Sequence, residues 1–212
     1  MYKKCFIVGA GEFANKYYPQ PGEFVIAADA GYSKLEELGI VPDLVVGDFD
    51  SLGAPPEHEN IIQSPVEKDD TDLMLAVNEG FARGCDFFII DGALGGRLDQ
   101  VMANFQILAN IAGRGARAVL LGDDMCATSL KDGCISFCPG AIGHKKLISV
   151  FCSGLRAQGV TLKGLKYPLT DAVLTCDYPL GVSNEFADTH AEISVGKGTL
   201  IIIWQGGVED LE

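Results

Sequence analysis

The sequence predicts an α/β domain built on a mostly parallel sheet, followed by a small all-β sandwich domain. Three observations predict it. Short apolar runs alternate with helical patterns up to about residue 123, long 3.6-residue periods stop after about residue 124, and acidic motifs fall where first-half strands end. The boundaries drawn from this change are 1–123 and 124–212.

The runs 5–8, 24–28, 44–46, 87–90 and 118–121 are apolar at consecutive positions, as strands buried on both faces require. Between them, Ser33-Lys34-Leu35-Glu36 has the spacing of a capping box, with Leu35 and Leu38 beginning an apolar face. Leu73, Ala76, Val77 and Phe81 follow a helix period after Asp72, and Leu98, Val101, Phe105, Leu108 and Ala112 do so after Arg97. Strand then helix, repeated, predicts a parallel sheet whose ligands gather at the carboxyl ends of its strands. In the second half, 125–130, 135–138, 147–152, 160–162, 173–176, 191–195 and 199–204 are short and β-like. Turns such as Lys131-Asp132-Gly133 and Gly196-Lys197-Gly198 separate several of them. An antiparallel sandwich or barrel is the expectation there.

The chain has 212 residues, enough for one large domain or two modest ones. Its formal charge of −13 argues against a nucleic-acid partner, which needs clustered Lys and Arg. An acidic protein can still bind a nucleotide if a metal and a few placed cations neutralise the phosphates, and acidity is equally a solubility device. The seven cysteines are odd in number, form no CxxC pair and mostly lie inside apolar runs, which points to a reduced compartment. No apolar run approaches the roughly 18 residues of a membrane span, and the N-terminus lacks a secretory apolar region. The expectation is a cytoplasmic protein with no membrane partner.

Three motifs carry the chemistry: Gly47-Asp48-Phe49-Asp50-Ser51, Glu67-Lys68-Asp69-Asp70-Thr71-Asp72 and Gly95-Gly96-Arg97-Leu98-Asp99-Gln100. Acids at i and i+2 of an extended chain face the same side, roughly 7 Å apart. Two such charges drawn to about 4 Å repel by about 4 kcal/mol at an effective dielectric near 20. A fold gains nothing from that unless a cation sits between them. Oxygen ligands without His or Cys nearby suit Mg²⁺ held by few carboxylates plus substrate phosphates. Each motif also has an ordinary role: a solvated turn, a helix capped by Thr71 with Asp72 on its dipole, and a surface ion pair of Arg97 with Asp99. Three together at neighbouring strand ends outweigh those roles. Gly9-Ala10-Gly11-Glu12-Phe13-Ala14 also matches G-x-G-x-x-A, with Asp29 ending the next strand, as in a dinucleotide site. Tyr17-Tyr18-Pro19-Gln20-Pro21 leaves little room for the receiving helix, and Glu12 opposes phosphate, so a tight turn is the better account.

The ordered set Pro42-Asp43-Leu44-Val45-Val46-Gly47-Asp48-Phe49-Asp50-Ser51, Lys68-Asp69-Asp70-Thr71-Asp72 and Gly95-Gly96-Arg97-Leu98-Asp99-Gln100, with Ala28-Asp29-Ala30-Gly31 upstream, resembles the thiamine pyrophosphokinase family. The resemblance spans nearly the whole chain and includes the β-rich second half ending at 198–204. It implies a Rossmann-like first domain, a thiamine-binding second domain, and transfer of the diphosphate of ATP to the hydroxyl of thiamine, giving thiamine diphosphate and AMP. It also implies Mg²⁺ and a homodimer with the site shared between subunits. Carried over by position, Asp48, Asp50 and Asp72 are the metal-side acids and, with Asp99 near the reacting phosphates, the catalytic set. Asp29, Lys68, Asp69, Thr71, Arg97 and Gln100 fall to ATP, and Tyr167, Ser183 and Asn184 to thiamine. Position 100 is often His in the family, so Gln100 removes a titratable group and no proton transfer is assigned there. Asp50 or Asp99 would orient the acceptor hydroxyl. Two rivals stay open: the same fold acting on another acceptor such as a pterin alcohol, and a nucleotide- or thiamine-sensing module without turnover.

Overall fold

The computed structural model describes residues 3–49, 56–64, 70–138, 146–187 and 190–211. The chain divides into two compact units, Met1–Ile107 with Leu120–Asp123, and Leu108–Val119 with Asp124–Glu212. The helix α3 (Leu98–Gly113) and the strand β6 (Arg117–Leu121) are each shared between the two units.

In the first unit, β1 (Lys4–Val8), β2 (Phe24–Ala28), β3 (Leu44–Gly47), β4 (Ile61–Gln63) and β5 (Phe87–Asp91) stand in the order β4-β3-β2-β1-β5. Every described pairing among them is parallel, with Phe6 opposite Val25 on one side and Ile89 on the other. Ile7, Ile26, Val45 and Ile90 are fully buried, which is why these strands read as unbroken apolar runs. Helix α2 (Asp72–Ala82) packs on β1, β2 and β3 and buries Leu73, Ala76, Val77 and Gly80, one stripe at helical spacing. Thr71 caps it, its Oγ1 accepting the Met74 N–H at 3.2 Å.

Helix α1 (Gly31–Glu37) corrects the expected capping box. It begins two residues before Ser33, after Ala30, and no side chain caps it. A Cβ at residue 31 would stand 1.9 Å from the Val8 carbonyl oxygen, so the first residue of this helix must be glycine. Leu35 is fully buried as expected.

The second unit holds β7 (Cys126–Lys131), β8 (Cys134–Phe137), β9 (Leu147–Lys163), β10 (Leu169–Thr175), β11 (Gly181–Glu185), β12 (Ala191–Ser194) and β13 (Lys197–Trp204). All their described pairings are antiparallel. Two expected strands, 147–152 and 160–162, are one 17-residue strand. The first half of β9 pairs with β11 and β13, and the second with β10 and β12. Gly154 and Gly159, both at positive φ, bend it between these partners without ending it. Trp204, Phe137 and Phe186 form the aromatic part of this core, with ring centroids 5.4 and 5.7 Å apart. No disulfide links the seven cysteines. Among the described residues, no helix is long and apolar enough to cross a membrane.

Candidate active site

A cleft of about 660 Å³ opens at the carboxyl ends of β1, β2 and β5, where a parallel sheet places its ligands. Its floor is the loop after β1. Gly9 N–H donates to the Asp91 carbonyl and Gly11 N–H to the Gly92 carbonyl, each at 2.8 Å. The Asp91 carboxylate is wholly buried and accepts backbone N–H groups from Ala14 at 2.8 Å, Asn15 at 3.0 Å and Gly92 at 2.7 Å. Burial pushes this carboxyl above the ordinary carboxylate range, against the pull of those donors and of Lys34. Lys34, on α1, donates to the carbonyl of Gly9 at 3.0 Å and also to that of Gly11, and burial draws its ammonium below the usual lysine value. Asp91 and Lys34 thus hold the Gly9–Gly11 turn from two sides. Residues 13–20 form no helix, so the glycine pattern here serves a tight turn.

Five residues assigned to ATP or metal line this cleft: Asp29, Thr71, Asp72, Arg97 and Gln100. Asp29 follows β2 at φ 50°, with its N–H bonded to the Val46 carbonyl at 2.8 Å and its carbonyl accepting from Tyr32 at 3.1 Å. Asp72 opens α2 just after the Thr71 cap. Arg97 precedes α3 and forks onto Asp99, Nε to Oδ1 at 3.2 Å and Nη2 to Oδ2 at 2.6 Å. That pairing holds Asp99 below the usual carboxylate range and raises Arg97. Asp99 also accepts the Gln100 N–H at 3.0 Å.

Asp48 and Asp99 do not line the cleft, although both stand at the same edge of the sheet. Asp48 follows β3 directly and is half-buried. The extended-chain argument for Asp48 and Asp50 does not hold, because Phe49 between them takes φ 62°, a strained value for an aromatic residue, with its side chain buried. Asp50, Lys68 and Asp69 lie outside the described residues. Among the described residues, no group of three or more His, Cys, Asp or Glu is placed to hold a metal. The acids that are described offer oxygen alone, which fits a hard cation completed by phosphate oxygens.

Three contributors escaped sequence reasoning: Asp91, Lys34 and Asn104, whose buried Nδ2 donates to the Ala93 carbonyl at 2.7 Å. The available signal was an acid directly abutting an apolar strand, as Asp91 abuts 87–90.

In the second unit, Asn184 is buried on β11 and works on backbone. Its Oδ1 accepts the N–H groups of Tyr167 and Glu185, each at 2.9 Å, and its Nδ2 donates to the Tyr167 carbonyl at 2.7 Å. The Tyr167 side chain stays open, 58% exposed, with Lys166 Nζ 5.3 Å from its ring centre. Ser183 takes φ 56° and donates its N–H to Ser149 Oγ at 3.0 Å.

Family comparison matches residues 16–120 to the thiamin pyrophosphokinase catalytic domain and residues 138–200 to the thiamin pyrophosphokinase vitamin B1 binding domain. A thiamine pyrophosphokinase of Bacillus subtilis (strain 168) is 31% identical over 193 residues, covering 84% of this chain and 85% of that protein. The crystal structure of thiamine pyrophosphokinase from Bacillus subtilis aligns with a TM-score of 0.85 at 28% identity, over 97% of this chain and 100% of that one. That of thiamin pyrophosphokinase from Geobacillus thermodenitrificans aligns with a TM-score of 0.82 at 25% identity, over 98% and 99%.

Proposed function

The chain belongs to the thiamin pyrophosphokinase family, and on that premise we propose that it transfers the diphosphate of ATP to the hydroxyl of thiamine, giving thiamine diphosphate and AMP. The observation that carries the reading is the cleft itself, where Thr71 and Asp72 at the start of α2 meet Arg97 and Gln100 at the start of α3. The two residue pairs come from separate sequence motifs. We assign 1–123, whose parallel strand order we read as Rossmann-like, to ATP, and 124–212 to thiamine.

Transfer breaks the bond between the β phosphorus and the oxygen that bridges it to the α phosphorus and forms one from the thiamine hydroxyl oxygen to the β phosphorus, while AMP leaves with the bridging oxygen. Such a reaction asks the protein mainly for positioning and charge neutralisation. Arg97, turned from Asp99 to the phosphates, would meet charge as it develops on the departing AMP. The Thr71-capped start of α2 would orient the β and γ oxygens through its partial positive charge. Asp48 and Asp72, with Asp50, would hold Mg²⁺, which supplies further neutralisation on the phosphate oxygens when bound. Asp50 or Asp99 would take the hydroxyl proton. Lys68 and Asp69 complete the proposed ATP set, and Asp29 stands at the nucleotide end. In the second domain, Tyr167 would stack on the pyrimidine ring, with Asn184 holding its backbone and Ser183 beside it. We further infer a cytoplasmic homodimer.

Purified protein with ATP, Mg²⁺ and thiamine should form AMP and thiamine diphosphate in equal amounts, with no product when Mg²⁺ is chelated. ADP as the product would overturn the reading, and a pterin alcohol consumed faster than thiamine would redirect it to another acceptor.

A further inference from the structure

The turn at Gly95-Gly96 holds the Glu12 carboxylate. Gly95 and Gly96 take φ 81° and 67°, backbone values that turn the chain sharply before α3. The Glu12 carboxylate sits on that turn. Its Oε1 accepts the Gly96 N–H at 3.0 Å, and its Oε2 lies 2.2 Å from where a Cβ on Gly95 would stand. The carboxylate is not there by chance, since Glu12 bridges to Leu94 through backbone and Gly11 is bonded to the Gly92 carbonyl one step earlier. The neighbouring anion receptor is occupied in the same way, because Arg97 forks onto Asp99. Glu12, Gly95, Gly96 and Arg97 all line the cleft.

We propose that Glu12 is a built-in competitor for the phosphate tail of the nucleotide, occupying the Gly96 N–H until a polyphosphate displaces it. The inference rests on the reading that this cleft takes ATP. A carboxylate and a phosphate oxygen compete for one N–H, and they also repel across the cleft. Glu12 therefore weakens polyphosphate binding and speeds its exchange, and it keeps the glycine turn closed while the cleft holds no nucleotide. A purely structural role for the same contact predicts no gain in affinity when the charge alone is removed, because the turn stays bonded.

The test is calorimetric titration of the full chain and its Glu12→Gln variant with ATP, inorganic triphosphate and adenosine. Gln keeps the acceptor on Gly96 and removes only the charge. The variant should bind ATP and triphosphate about five- to twentyfold tighter, the scale of one like charge roughly 6 Å away in a partly solvated cleft, and adenosine equally well. The gap should shrink near 1 M salt, where the screening length is about 3 Å. Equal or weaker binding of ATP by Glu12→Gln, with wild type binding normally, overturns the competitor role and leaves the ATP reading standing. Failure of both proteins to bind ATP or triphosphate overturns the ATP reading and the inference with it.

Discussion

Removal of the Asn184 side chain should disturb the proposed thiamine site and leave the proposed ATP site intact. Replacing it with Ala deletes three hydrogen bonds: those from the Tyr167 and Glu185 N–H groups, and the one to the Tyr167 carbonyl. Each is worth about 0.5–1.5 kcal/mol net. Tyr167 is more than half exposed, so water can replace part of what is lost, and the cost settles near 2 kcal/mol. The functional effect follows from the freed Tyr167 backbone. A stacked ring contributes about 1 kcal/mol, so losing its placement should raise the KM for thiamine about fivefold. The proposed ATP site lies on other residues, and the KM for ATP should stay within about twofold, since distant sites couple by no more than ~0.4 kcal/mol. Urea unfolding followed through Trp204, the chain's one tryptophan and a fully buried residue of the same unit, measures the stability term. Steady-state kinetics with each substrate varied in turn measures the other. An unchanged unfolding midpoint, or equal movement of both KM values, would refute the clamp.

Thr71→Ala should cost about 1 kcal/mol through the lost cap on Met74 and raise the KM for ATP, while Thr71→Ser should restore both; thermal melts and kinetics read it. Asp91 has a folded pKa above its ordinary value of 3.8. Its contribution to stability is therefore full below that value and is lost as pH rises through the folded value. Urea titrations across that range should show a falling component in wild type that is absent in Asp91→Asn, and identical slopes would dismiss it. Asp48→Asn and Asp72→Asn should each lower kcat by roughly a hundredfold or more, the several kcal/mol a bound metal supplies, with far-UV circular dichroism unchanged. Wild-type rates in either variant remove that residue from the metal set.

What was legible in the sequence follows from which forces are local. Strands β1, β2, β3 and β5 are buried on both faces, so their apolar runs stand out, and α2 shows its stripe of Leu73, Ala76 and Val77 directly. β9 reads as two strands in sequence because Gly154 and Gly159 resemble turn residues, whereas partners on both sides carry the strand through the bend. β11 does not show in sequence because its polar run Gly181-Val182-Ser183-Asn184-Glu185 has no apolar alternation, and its pairing to β9 defines it. The site divides along the same line. Thr71, Asp72, Arg97 and Gln100, which line the cleft, stand out in sequence because each sits inside a compact motif at a helix start. Asp91 and Lys34 carry no such signal, because their roles are set by contacts with chain 23 to 77 residues away, and Glu12 stands out as an acid opposing phosphate while its bond to Gly96, 84 residues on, does not. A charge abutting a buried strand has two destinies, to hold backbone or to meet ligand, and local residue order is the same for both. Asp91 took the first because three N–H groups converge on its carboxylate from two loops, whereas Asp29 at the end of β2 lines the cleft. Only tertiary geometry separates the two outcomes, and charge-removing substitutions such as Glu12→Gln are the direct way to tell them apart in solution.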